Sequence, residues 1–259
     1  MRKRRSWRGA SPATRGEALP AAGFFGKSLM SETPLPRAQV IPFYLSSGAE
    51  NVALIGGRIA CVGDIVSPIL RRHAYPLAIA SLQAEALALA ACLASTLKFE
   101  GVFTLQAKGD GLVKTLFADM TSAGNLRGYC GFDPEACMPV ADDLAAAMPA
   151  DVTTLMGSGY IAFTVDQGAT GGRYQGIVDL KGDSLGEAAT TWFANSEQLD
   201  TLVVAAANLQ DGHWQATALL LQRIAADGGG SGSQTDKELS DDAWHTAKTL
   251  MESVRRDEL

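Results

Sequence analysis

The chain has 259 residues, 47% hydrophobic and 19% charged, a balance that excludes a disordered polypeptide and allows one long domain or two short ones. Its formal net charge of −6 argues against a general nucleic-acid binder, because polyanion binding needs a basic surface that releases counterions. The four cysteines, Cys61, Cys92, Cys130 and Cys137, show neither C-x-C nor C-x-x-C spacing. They therefore predict no zinc site and no disulfide framework, and they fit a reducing, cytoplasmic compartment.

Residues 1–37 read as a basic, disordered tail ahead of a core at 38–226 and a linker segment at 227–259. The first sixteen residues carry six basic and no acidic side chains. A transit peptide, a plain tail or an upstream start ahead of Met30 each accounts for them. ALPAAGFF is too short and broken for a secretory segment.

In QVIPFYLSSGAENVALIGGRIACVGD, short β-type runs are separated by Ser-Gly, Gly-Gly and Gly-Asp turn signals, which predicts the start of a first sheet. Residues 74–97, AYPLAIASLQAEALALAACLASTL, are the most apolar window and approach bilayer length. Gln83 and Glu85 near its centre favour a helix buried in a protein core, opening at Pro76, and no membrane span. GVFTLQAKGDG alternates Phe103, Leu105 and Ala107 with Thr104, Gln106 and Lys108, a half-buried strand ending in a Gly-Asp-Gly turn. LVKTLFADM and NLRGYCGF continue the strand pattern.

A stretch rich in Pro, Asp and Ala, DPEACMPVADDLAAAMPAD, precedes a hairpin of GYIAFTVD and RYQGIVDL around a Gly-rich loop. In its first strand Ile161, Phe163 and Val165 share one face and Tyr160, Ala162 and Thr164 the other. Ser184 and Glu187 match a capping box, and Leu185, Ala188, Ala189, Trp192, Phe193 and Leu199 form the apolar face of the helix that follows. TLVVAAANL and HWQATALLLQ pair through Gln210-Asp211-Gly212. DGGGSGSQTDKE reads as a flexible linker. A last helix follows, with Ala243, Trp244, Ala247, Leu250, Met251 and Val254 in one stripe. The closing RDEL is similar to an ER-retention tail, which without a signal peptide reads as chance.

Groups able to do chemistry are sparse. Ser95 and Lys98 match S-x-x-K, the basis for an alternative reading as a serine hydrolase, but the partner motifs S-D-N and K-T-G are absent. Gly157-Ser158-Gly159 reads as a turn. His73, His213 and His245 stand apart in sequence, and Gly-Asp turns account for Asp110 and Asp183. Neither a P-loop nor G-x-G-x-x-G is present.

Taken in order, YPLAIASLQAEALALAACLASTLKFEGVFTLQAKGDG, NLRGYCGF, TLMGSGYIAFTVD, RYQGIVDLKGDSLGEAATTWFANSEQL and ATALLLQ resemble the 33 kDa chaperonin family of redox-regulated heat-shock holdases. The resemblance implies an α+β core of two packed β-sheets with helices, followed by a truncated helical linker. It implies a non-enzymatic, ATP-independent holdase that forms a homodimer, holds unfolded polypeptides and releases them to ATP-driven refolding chaperones. Family members carry a zinc-binding C-terminal module whose oxidation unlocks the client surface. The C-x-C and C-x-x-C ligands of that module are absent here, so no cofactor is expected. The expectation is a holdase freed of its redox lock; an inactive truncated remnant is the other reading. A holdase needs a wide apolar patch. The candidates are Ile161, Phe163 and Val165 on one strand and Leu202, Val203 and Val204 on another. Trp244, Leu250 and Met251 of the last helix are expected to cover or extend the patch.

Overall fold

The computed structural model describes residues 38–46, 53–140, 151–168, 171–197, 199–224, 234–255 and 258–259. The expected tail at 1–37 lies outside them, as does the linker stretch 225–233. The architecture is α+β, with two antiparallel sheets. The first has the order β1 (Gln39–Ser46), β2 (Ala53–Cys61), β9 (His213–Arg223), β8 (Thr201–Gln210). The second has the order β5 (Leu126–Phe132), β4 (Val113–Thr121), β3 (Val102–Gly109), β6 (Gly159–Asp166), β7 (Arg173–Asp179).

Between the sheets runs α2 (Leu77–Ala94), packed on β9, β8 and β2 on one side and on β4, β5 and β3 on the other. A helix apolar around its whole circumference needs protein or lipid on every side. Here both sheets supply that surround, and every residue from Ala78 to Ala94 is buried. The helix is long and apolar enough to cross a membrane; in this fold it is the core. Gln83, at its centre, donates from Nε2 to the Phe117 carbonyl at 3.1 Å. β3 keeps its predicted alternation, with Phe103, Leu105 and Ala107 fully buried against α2.

Two turn expectations fail, each for its own reason. Gly56 and Gly57 lie inside β2, because the Phe43 ring of β1 covers Gly57 so closely that a Cβ there would sit 2.2 Å from it. An aromatic ring takes the place of the missing side chain. Gly63 and Asp64 open a helix, α1 (Gly63–Leu70), which the sequence pattern hid behind Pro68 in its interior. The Trp214 N–H donates to Ser67 Oγ at 2.9 Å and fastens α1 to β9.

Other turns follow their chemistry. Asp211 and Gly212 both take positive φ, 51° and 75°, the two-residue turn that suits the right-handed twist of a hairpin. The Asp110 carboxylate accepts the Ser158 N–H at 2.7 Å and the Gly111 N–H donates to the Met156 carbonyl at 2.8 Å. The Gly-Asp-Gly and Gly-Ser-Gly turns thus interlock. Short helices α3 (Pro134–Cys137) and α4 (Val152–Met156) occupy parts of the Pro- and Ala-rich stretch.

The helix α5 (Leu185–Trp192) begins at Ser184, whose Oγ accepts the Glu187 N–H at 3.2 Å. Glu187 reaches back to the N–H of Asp183, 2.8 Å away, one residue before the position a capping box specifies. Leu185, Ala188, Ala189 and Trp192 are buried as the pattern predicted, and the Trp192 ring lies 4.9 Å from that of Phe163. Phe193–Glu197 widens into a π turn. The last helix, α6 (Gln234–Ser253), lies on the first sheet.

Candidate functional site

Because strand side chains alternate, the first sheet has two faces. Val203, Ala205, Ala216, Ala218 and Leu220 point inward and are buried. Leu202, Val204, Leu219 and Leu221 point the opposite way, and with Ile55, Leu54 and Phe43 they make an apolar outer face. Alone, such a face would be a large exposed patch. It is covered by α6: Ala247 and Met251 are buried with Ile55 and Leu221, and Ala243 and Trp244 pack at the margin.

A polar clasp holds the start of this helix. Arg223, the last residue of β9, donates from Nε to Ser240 Oγ at 3.1 Å and pairs with Asp241 on the same helical turn. Its third contact, at 3.5 Å, is Asp200 just before β8. The planar guanidinium therefore joins the end of this inner strand to the cover from several directions at once.

The structure divides the sequence-predicted surface residues into three groups. Leu202 and Val204 lie half-buried on the outer face under α6, whereas Val203 points into the interior at 4% exposure. Ile161, Phe163 and Val165 are 0%, 1% and 6% exposed on the inner face of the second sheet, so the expectation of an open surface there is corrected: the period-two pattern marked the core. On α6, Met251 is buried and Trp244 half-buried, but Leu250 is 63% exposed at the flank of the stripe. Arg223 was missed in the sequence. The only signal was an arginine ending a strand ahead of Ser240-Asp241-Asp242.

The alternative catalytic pair finds no support. Ser95 Oγ donates to the Cys92 carbonyl at 2.6 Å, a local bond that closes the end of α2. Lys98 is exposed three residues further on. The cysteines are free thiols. Burial pushes the Cys92 thiol up to about 12. Burial does the same for Cys130, again to about 12, with Cys137 nearby adding to the shift. The Cys137 thiol is also raised, by burial first and the Asp133 charge second. Thiols so placed are poor nucleophiles and poor metal ligands. Among the described residues no group of three or more His, Cys, Asp or Glu side chains gathers to hold a metal ion. The residues described do not fit the zinc associated with the resembled family.

These features define an α+β protein whose distinctive surface is a lidded apolar sheet face. Comparisons with known proteins agree. The family model described as Hsp33 protein matches residues 45–259. A 33 kDa chaperonin of Caulobacter vibrioides is 38% identical over 214 residues, 81% of this chain and 67% of that protein. One from Ectopseudomonas mendocina is 35% identical over 205 residues, 79% of this chain and 63% of that protein. The chain thus spans about two thirds of the length of these relatives. The crystal structure of the Thermotoga maritima 33 kDa chaperonin, at 19% identity, superposes with a TM-score of 0.63 over 83% of this chain and 68% of that one, a likeness of fold. The chain belongs to the Hsp33 family, and its role is that of a chaperone.

Proposed function

We propose that the chain is an ATP-independent holdase, and that the outer face of the first sheet receives unfolded polypeptide when α6 lifts away. One observation carries this reading: Ile55, Leu221, Leu202, Val204 and Leu219 form a continuous apolar face beneath a single helix. The helix is lightly held. Of its described side chains only Ala247 and Met251 are buried, against the unbroken burial of α2. Elements with few buried contacts and a largely hydrated backbone open first. An opened face would offer apolar strands to any chain with unsatisfied apolar segments and would need no nucleotide. The cover is held by packing and by Arg223, so its release needs no thiol chemistry. Activity without an oxidant follows, together with self-association and hand-over of clients to ATP-driven refolding chaperones.

The test is dilution of a chemically unfolded, aggregation-prone protein into buffer containing this chain, with and without dithiothreitol, followed by light scattering. Suppression that dithiothreitol leaves intact supports an unlocked holdase. No suppression in either buffer refutes the reading and leaves an inactive form.

A further inference from the structure

β1 is the outermost strand of the first sheet, and β2 is its only ladder partner among the described residues. None of its eight residues is buried; Ile41, Tyr44 and Leu45 are exposed, and the pairing with β2 slips between Leu45 and Ser46. An element held by so few buried contacts opens before the core does. One side chain fastens it. The Phe43 ring lies on Gly57, where a Cβ would overlap three of its carbons, and it packs at the margin of the cluster that Ile55 and Leu221 form with Met251 of α6.

β2 beneath it is shaped to be covered. With Gly56 and Gly57 in succession it presents bare backbone in mid-strand, a feature of sites where a ligand or another backbone approaches closely. Lifting β1 would free the backbone edge of β2 together with a ring-sized hollow over Gly57. The outer edge of β1 offers no such opening, because a proline on an edge strand stands where an N–H would face solvent, and Pro42 lies in mid-strand. A further chain is therefore better placed to replace β1 than to add outside it.

We propose that β1 is a displaceable strand, and that its seat on β2 receives an extended polypeptide segment with an aromatic side chain over Gly57. Main-chain hydrogen bonds to β2 supply affinity for any extended chain, and the hollow over Gly57 selects the aromatic residue. Because Phe43 also packs beside α6, lifting that helix removes one wall of the seat and loosens β1, so the two covers open together. The proposal rests on the holdase reading for the nature of the ligand, and adds the mode of pairing and the side chain required.

The test is fluorescence anisotropy of a fluorescein-labelled peptide with the sequence of residues 39–46, titrated with the full chain. The peptide should bind, and its counterpart with alanine in place of the phenylalanine should bind about tenfold or more weakly, as loss of a buried ring implies. Phe43→Ala in the chain empties the seat and should tighten binding of the phenylalanine peptide about tenfold, with circular dichroism confirming that the rest is folded. Gln39 pairs with Cys61, the one cysteine that is not buried. Gln39→Cys, joined to Cys61 with oxidised glutathione, therefore ties β1 down. The locked chain should lose peptide binding and suppress client scattering less, and dithiothreitol should restore both. No binding to the chain or to Phe43→Ala, equal binding of the two peptides, or a lock without effect on peptide binding or on scattering would each overturn the proposal. Failure of the holdase reading looks different: an unlocked chain that binds the phenylalanine peptide preferentially yet suppresses no scattering would refute that reading and leave the seat in place.

Discussion

Replacing Arg223 with alanine should free the start of α6 and leave the rest of the fold intact. Two of the guanidinium's contacts reach the helix, the 3.1 Å bond to Ser240 and the pair with Asp241; the 3.5 Å contact to Asp200 stays within the sheet. The bond from the charged guanidinium to the Ser240 hydroxyl is partly hydrated, with the Arg223 side chain 23% exposed, and contributes about 1 kcal/mol. The Asp241 side chain is 53% exposed, so its pair belongs to the hydrated class worth about 0.5–1 kcal/mol. Together they imply a loss of about 1.5–2 kcal/mol, or a ten- to thirtyfold rise in the undocked helix. Hydrogen exchange of the amides from Ala243 to Met251 should accelerate by that factor while the amides of α2 stay protected. Arg223→Lys keeps a charge without the fork and should fall between the two. Unchanged exchange in α6, or equal acceleration in α2, would refute a local clasp.

Met251→Ala should undock α6 by a further 2–3 kcal/mol, the cost of removing a buried side chain, whereas Leu250→Ala, at 63% exposure, should change stability by less than about 0.5 kcal/mol; exchange and denaturant titration compare them. The Cys92 and Cys130 thiols ionise near 9 in an unfolded chain and near 12 in the folded one. Stability is thus fully present below pH 9 and is lost as the pH rises toward 12, at up to about 1.4 kcal/mol per pH unit for each thiol. Urea midpoints at pH 8 and 10.5 should show the loss, and Cys92→Ala should lessen it. Gly157 has φ of +67°, and a Cβ there would sit 2.3 Å from Asp110 Oδ1. Gly157→Ala should therefore cost about 2–4 kcal/mol through strain and the broken bond to Ser158, seen as a lowered Tm.

Much of the fold was legible because its local signals agree with its packing. α2 was found from composition alone, and β3 from its alternation, since both report burial directly. The Asp211-Gly212 turn and the Ser184 cap are short-range chemistry and also read correctly. Gly56-Gly57 misled because the ring that fills the gap belongs to Phe43 on another strand, a pairing that a linear pattern does not encode. α1 was hidden by Pro68 and is fastened by Trp214, 147 residues from Ser67. The site was harder to read. Ile161, Phe163 and Val165 show the alternation of a strand with one buried face, and alternation does not say whether the apolar face meets a helix or a client. Leu202 and Val204 share a strand with Val203 but face the other way. Arg223 carried only the weak signal of an arginine closing a strand, because a clasp exists only once the end of β9 and the start of α6 come together.

The cover couples client affinity to helix docking. If only a fraction of molecules has α6 lifted, the apparent dissociation constant for a client is the intrinsic one divided by that fraction. A variant that raises the open population ten- to thirtyfold without touching the face should therefore tighten client binding by the same factor, until the open form predominates. Arg223 suits this test because its contacts to α6 are polar and at the end of β9, while the apolar residues that would meet the client remain in place. Linkage also requires the reverse: a saturating unfolded client must speed exchange in α6 by displacing it. Measuring both on one sample separates a lid from a platform. If client binding leaves α6 protected, the helix belongs to the binding surface and the exposed flank at Leu250 becomes the place to look; if it strips protection from Ala243 through Met251, the face beneath is the site.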